Sequence, residues 1–418
     1  PGGALAPSAP LAPTVRAGRR RRGDSGRRRA LVAVASVAAV GLVVGLLVNV
    51  VVLGDDDPAR GRSAYAADAV SFAGLGELSG IALASDGALY VSVPGSGDGS
   101  GQGRIVRLTS SGQARQVGGS GPRPTPSGGV PSPSPTPVLG DNGPSLRADL
   151  RQPNGLAVGP DGSVYLAETD SGRVRRIAAD GTITTVAGAG PDYADGFAAD
   201  SGNALRARLD DPTAVAVDAK GAVYVTEGYR IRRIVDGSIT TVAGRANESG
   251  SAGDGGPAIN ATLYQPSGLA LAKDGTLYVA DRGSDTVRSI DRNGRISLVA
   301  GRPGTYGRTG DGGAATKALL YNPQGLALGA DGSLYVADTG NYVIRRIDRN
   351  GIISTVAGSA SYSSGNQDGA LATQAYLDQP SGVVVDPSGA LYLACADGTV
   401  RRVGADRTMS TVLRPPDS

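Results

Sequence analysis

The sequence predicts an all-β protein: a six-bladed β-propeller of four-stranded antiparallel blades, preceded by one transmembrane α-helix. Three observations carry this. Glycine fills 65 and proline 26 of the 418 positions, a density of turns that disfavours long helices and favours many short strands. Six of the fifteen tyrosines, Tyr90, Tyr165, Tyr224, Tyr278, Tyr335 and Tyr392, recur three residues after a turn glycine, at spacings of 75, 59, 54, 57 and 57. A single charge-free apolar run lies ahead of them, from Ala30 to Leu53.

Residues 1–29 form a basic, Pro/Ala-rich arm. The net charge of +3 hides its contrast with the rest: residues 1–30 carry eight arginines against Asp24, for +7, leaving −4 for residues 31–418. The basic character belongs to the arm, so nucleic acid is not expected as a partner. Arg19, Arg20, Arg21, Arg22, Arg27, Arg28 and Arg29 suit topogenic charge and contact with anionic lipid headgroups.

The run 30–53 is long enough as a helix to cross a bilayer, at about 1.5 Å per residue. Arginines precede it and Asp55, Asp56 and Asp57 follow it, so the positive-inside rule places the arm in the cytoplasm and everything after residue 54 outside the cell. Ala64-Tyr65-Ala66 resembles a signal-peptide cleavage site, but the apolar run is longer than a signal core and the tripeptide lies well beyond its end. Residues 54–68 read as a linker. The chain starts at Pro1, and the Pro/Ala-rich start also resembles an interdomain linker, leaving a further upstream domain open.

The propeller is expected over 69–414, with a short tail at 415–418. In the fifth unit the strands fall at Gly325–Leu328, Leu334–Ala337, Val343–Ile347 and Ile352–Ala357, with Asp331-Gly332 and Asn350-Gly351 as hairpin turns. One such sheet exposes its apolar faces, and stacking six around an axis buries them. Two segments compete for the closing strand, Val70–Gly74 and Met409–Leu413. Residues 118–144, rich in Pro, Ser and Gly, read as a disordered insertion between the first two blades.

Histidine is absent, which removes Ser-His-Asp and Cys-His catalysis, and the lone Cys395 removes an intrachain disulfide or a cysteine-cluster metal site. No metal or cofactor is expected. An acid recurs after the second strand as Glu168, Glu227, Asp281 and Asp338, and these four carboxylates are expected on one rim. Such a ring offers oxygen ligands to a cation or a basic ligand. Each acid also faces an Arg-Arg pair on the next strand, such as Arg175-Arg176 or Arg345-Arg346, and an exposed pair of that kind stabilises little. Gly/Asp loops recur between units, among them Gly253–Pro257, Gly310–Gly313, Gln367–Gly369 and Ala194–Gly196. They lack the D-x-D-x-D-G spacing of calcium loops and read as connectors, each followed by a short Ala-rich turn such as 314–320.

The pattern P-x-G-[LIV]-A-[LV], DG-x-[LV]-Y-[VL]-A-[DE], [VI]-R-R-I and TVAG, which units two to five fit well, resembles the NHL-repeat family. That family forms six-bladed propellers that serve as non-catalytic interaction platforms. Unit one departs at Val93-Pro94 and unit six at Cys395, each lacking the acid. The resemblance implies a non-catalytic binding module, which the run 30–53 is expected to hold outside the cell, for a protein, peptide or glycan. The chain is also similar to the outer half of some actinobacterial receptor Ser/Thr kinases, which implies a sensor role, although no kinase motif is present. Related propellers in streptogramin lyases and gluconolactonase-type hydrolases imply an alternative, an enzyme with a carboxylate-held metal.

Overall fold

In a computed structural model, residues 70–72, 75–95, 103–120, 140–190, 201–359 and 368–416 are described. The arm 1–29, the apolar run 30–53, the linker 54–68, the arginine cluster and the core of the insertion at 121–139 lie outside them. Among the described residues no helix is long and apolar enough to cross a membrane.

Six antiparallel sheets follow one another along the chain, each a four-stranded meander. Blade one comprises Gly80–Leu83, Leu89–Val93, Arg104–Leu108 and Ala114–Gly118. Blade five comprises Pro323–Leu328, Leu334–Asp338, Val343–Ile347 and Ile353–Ala357, within two residues of the sequence reading at every strand end. Blades two and three each gain a short outer strand, Gly143–Pro144 and Ser201–Asn203. The insertion is therefore shorter than expected: the chain is built into the fold again from Gly140, because Gly143 and Pro144 pair with Ile183 and Thr182.

Ring closure uses both competing segments. Met409–Arg414 is the fourth strand of blade six, antiparallel to Val400–Val403, and Val70–Ser71 adds beyond it as a fifth, parallel strand. The N-terminal side of the propeller thereby covers the otherwise open edge of the last sheet.

The core is divided as the repeat demands. Six buried apolar clusters lie at the six blade interfaces, the one that joins blade six to blade one included (Leu78, Val91 and Leu108 with Tyr392 and Leu413). All six repeat tyrosines pack against these clusters, as expected of blade-packing residues. Arginines from the third strands lie over three of the rings, Tyr90, Tyr224 and Tyr392.

The first strands surround the axis, and the P-x-G motif records how tightly. A Cβ on Gly268 would sit 1.8 Å from the Gln324 carbonyl oxygen of the next blade. The residue between Pro and Gly has a second task. Ser79, Thr213, Ser267 and Ser381 each donate a hydroxyl hydrogen bond to the backbone carbonyl just before the same position in the next blade, at 2.7–3.1 Å. Blades two and five carry Asn154 and Gln324 there instead. Thr169 and Thr339, at the end of the second strand, take over and donate to the carbonyls of Pro212 and Pro380. Every blade junction, including Ser381 to Leu78 of blade one, thus has one hydroxyl-to-carbonyl bond. Ser381→Ala is expected to destabilise the fold by about 1–3 kcal/mol, since it leaves the Leu78 carbonyl short of a donor. A urea-denaturation midpoint equal to wild type would show that this junction bond contributes nothing.

Candidate functional site

The strand-two acids are buried rather than displayed. Glu168, Glu227, Asp281 and Asp338 are at most 1% exposed, which corrects the expected ring of rim carboxylates. Two features of the sequence bury them. One third-strand arginine in each of blades two to six, the first of an Arg-Arg pair except at Arg288-Ser289, points inward, at a β-bulge between the third and fourth strands that recurs in every blade. Arg175, Arg232, Arg288, Arg345 and Arg401 are accordingly among the most deeply buried side chains of the protein. The Gly/Asp loop ahead of the blade then folds over the arginine. Asp141 meets Arg175 at 2.7 Å, Asp254 meets Arg288 at 3.0 Å, Asp311 meets Arg345 at 2.6 Å and Asp368 meets Arg401 at 3.0 Å. The loops are connectors, as the sequence suggested, and their carboxylates are engaged by arginine. The equivalent loop 194–196 lies outside the described residues.

Within this arrangement the acids differ. Glu227 is closely engaged: its Oε1 lies 2.8 Å from both Arg230 and Arg232, and its Oε2 accepts from the Asp210 amide at 3.0 Å. The others stand farther from their arginines: Glu168–Arg175 at 3.6 Å, Asp281–Arg288 at 3.7 Å and Asp338–Arg345 at 3.3 Å. Burial pushes Glu168 and Asp281 up to about 7 and Asp338 to about 6, against the pull of the nearby arginines and of hydrogen bonds from Ser171, the Tyr264 amide and the Tyr321 amide. In blade six Cys395 takes the place of the acid, and burial raises its thiol far above the usual range. Among the described residues no three His, Cys, Asp or Glu side chains are grouped to hold a metal ion. The second arginines lie outward and pair with turn acids, Arg176 with Asp161 at 2.7 Å and Arg346 with Asp331 at 2.9 Å.

What varies between blades sits at the end of the propeller where the first strands begin. Besides the repeat tyrosines, six others are described: Tyr229, Tyr264, Tyr306, Tyr321, Tyr342 and Tyr376. All lie in strand-two-to-three turns or in loops leading into the next blade, and all lie between blade three and blade six. They form three ring pairs, with centroids 6.3 Å apart for Tyr229–Tyr264, 4.9 Å for Tyr306–Tyr321 and 6.0 Å for Tyr342–Tyr376. Tyr306 is 66% exposed. Tyr342 holds φ at +59°, a left-handed conformation that strains a bulky residue. At the centre of the same end a cavity of about 480 Å³ opens onto the axis, bounded by the first strands of all six blades and by Arg282. A second cavity of about 550 Å³ adjoins it at blades three and four.

Two family models match the chain. Residues 150–177 match the NHL repeat, and residues 245–306 and 300–367 match the teneurin NHL domain. The unit over residues 150–177 thus matches the NHL type. Mouse teneurin-1 is 32% identical over 232 residues, which take in 50% of this chain and 8% of that protein. Teneurin-m of Drosophila melanogaster is 34% identical over 173 residues, 38% of this chain and 6% of that protein. The chain thus spans under a tenth of the length of these relatives. Among solved structures, a Bacteroides thetaiotaomicron protein of unknown function is similar in fold, with a TM-score of 0.55 and 18% identity over 84% of this chain and 74% of its own. The NHL matches bear out the resemblance read from the P-x-G and TVAG motifs, and the six sheets bear out the propeller.

Proposed function

We propose that this NHL propeller is a binding module that faces the outside of the cell on the apolar run 30–53 and engages a protein partner with the tyrosine-bearing rim of blades three to six. The observation that carries the reading is the arc of three tyrosine pairs. A fold that repeats six times has no structural need for the aromatic side chains that, among the described residues, stand on one end of four blades, and the repeat tyrosines already serve the core. Tyrosine supplies large contact area at low entropic cost and is enriched where proteins bind one another. Support also comes from the teneurin NHL match, whose two segments cover blades four and five.

The test uses the full chain in its native cell. A photo-crosslinking amino acid placed at Tyr306 is expected to form an adduct of defined size on intact cells. The adduct is expected to disappear with Tyr229→Ser/Tyr264→Ser. The same probe at Asp180, on the opposite end of blade two, is expected to give none. Equal adducts from both ends would refute a rim-specific partner. Orientation is read from Tyr306→Cys, which is expected to react with a membrane-impermeant maleimide on intact cells. Native Cys395 is buried and provides a low background. Labelling only after lysis would place the propeller inside.

A further inference from the structure

The side chain of Arg282 takes no part in the hydroxyl-to-carbonyl bonds that join the blades. It occupies the position directly after the strand-two acid, where Thr169 and Thr339 supply the junction hydroxyls of blades two and five and where blade three has Gly228. In blade four Ser267 already supplies that hydroxyl, so position 282 has no part in closure. The side chain reaches both the axial cavity and the adjoining one. Its Nε is shut off from solvent without a hydrogen-bond partner, and among the described residues its guanidinium makes no ion pair. Arg175, Arg288, Arg345 and Arg401 differ in that each meets a loop aspartate, although the Arg345 Nε is likewise unmet. An unmet, inaccessible donor destabilises a protein, and a guanidinium with neither a hydrogen bond nor a counter-charge among the described residues is open to a ligand.

The surroundings define what would satisfy it. Gln324 borders the same cavity, and its amide makes no hydrogen bond among the described residues. Asn154, from the opposite side of the ring, donates to Thr169 at 2.5 Å. Below these polar groups the wall is apolar, with Leu83, Val158, Leu271 and Leu328 from four first strands. Asp210 and Asp211 lie in the adjoining cavity, so an anion is favoured on the axial side. A volume of about 480 Å³ suits a small organic molecule.

We propose that the axial cavity binds a small organic carboxylate, its two oxygens on the Arg282 fork, one of them also taking the Gln324 amide, and its apolar body directed along the axis. The planar guanidinium matches a carboxylate in two parallel hydrogen bonds. Among the described residues Arg282 is the sole cationic one bordering the cavity, which fits a monoanion better than a phosphate. The axial cavity itself is not lined by the rim tyrosines, although Tyr229 lines the adjoining one.

The test titrates the full chain with sodium benzoate, with neutral benzamide and with inorganic phosphate, followed by calorimetry and by NMR of the arginine Nε–Hε groups. Benzoate is expected to bind in the millimolar range or tighter and to shift one Nε–Hε resonance, identified by its loss in Arg282→Gln. Arg282→Gln is expected to weaken benzoate by about tenfold or more. Arg282→Lys keeps the charge without the fork and should fall between the two. Arg208→Gln, in the adjoining cavity, should leave the affinity unchanged. If Arg282→Gln is poorly folded, the resonance shift in wild type and the Lys variant decide. Benzamide or phosphate binding as tightly as benzoate, undiminished benzoate binding in both Arg282 variants, or an unmoved resonance at saturating benzoate would each overturn the assignment.

Discussion

Glu227→Gln is expected to lower the unfolding free energy by about 3–5 kcal/mol, the range for removing one partner from a buried ion pair. Glu227 serves two guanidiniums at once, with Arg230 and Arg232 each 2.8 Å from Oε1 and each at most 3% exposed. Neither arginine can turn to water without opening the blade. The substitution keeps the volume and the shape of the side chain, so the loss reports charge rather than packing. Glu168→Gln provides the contrast: Glu168 stands 3.6 Å from Arg175, which lies 2.7 Å from Asp141, whereas Glu227 is 2.8 Å from two guanidiniums, so the loss should be well under half as large. Urea denaturation of both variants near neutral pH, with unchanged m-values, gives the comparison. A loss below about 1 kcal/mol for Glu227→Gln would mean that the carboxylate is not what holds these arginines in place.

The same residues show where sequence reading succeeds and where it stops. Turn glycines, tyrosine spacing and short apolar runs are local signals with a fixed period, and they place the four strands of blade five within two residues at each end. The burial of the strand-two acids is not local. It depends on a loop aspartate that lies 33 or 34 positions before its arginine, in a connector of variable composition. Acid, Arg-Arg pair and Gly/Asp loop are each visible in the sequence, but nothing in their spacing says that they converge. Closure is similar. Val70–Ser71 and Met409–Arg414 look like rivals until a fifth, parallel strand is allowed. The site residues escaped for the opposite reason. A search for what repeats passes over Arg282, Gln324 and the six rim tyrosines because they do not. A usable signal was present: aligned on the acid, position 282 is arginine where the sister units have threonine or glycine.

Acidification from about pH 7.5 to about pH 5.5 is expected to stabilise the propeller, the reverse of the usual response of a protein held by ionised carboxylates. Burial raises Glu168 from 4.5 to about 7, Asp281 from 3.8 to about 7 and Asp338 from 3.8 to about 6. Between the unfolded and folded values the native chain binds more protons than the unfolded one, so stability falls as pH rises through that window and the gain is complete only below the unfolded values. Each of the three groups contributes roughly 1–2 kcal/mol over this interval. Few other groups interfere. The sequence has no histidine, and Cys395 is held protonated. Asp161 and Asp331 are lowered to about 2 by hydrogen bonds with Arg176, Arg346 and nearby serines, so their stabilisation is lost only well below the window. Urea midpoints measured across the interval should therefore move upward on acidification, and Glu168→Gln with Asp281→Asn should flatten most of the slope. A midpoint that instead rises towards pH 7.5 would show that Arg175 and Arg288 keep these carboxylates ionised, and that their attraction outweighs the loss of hydration inside the blade.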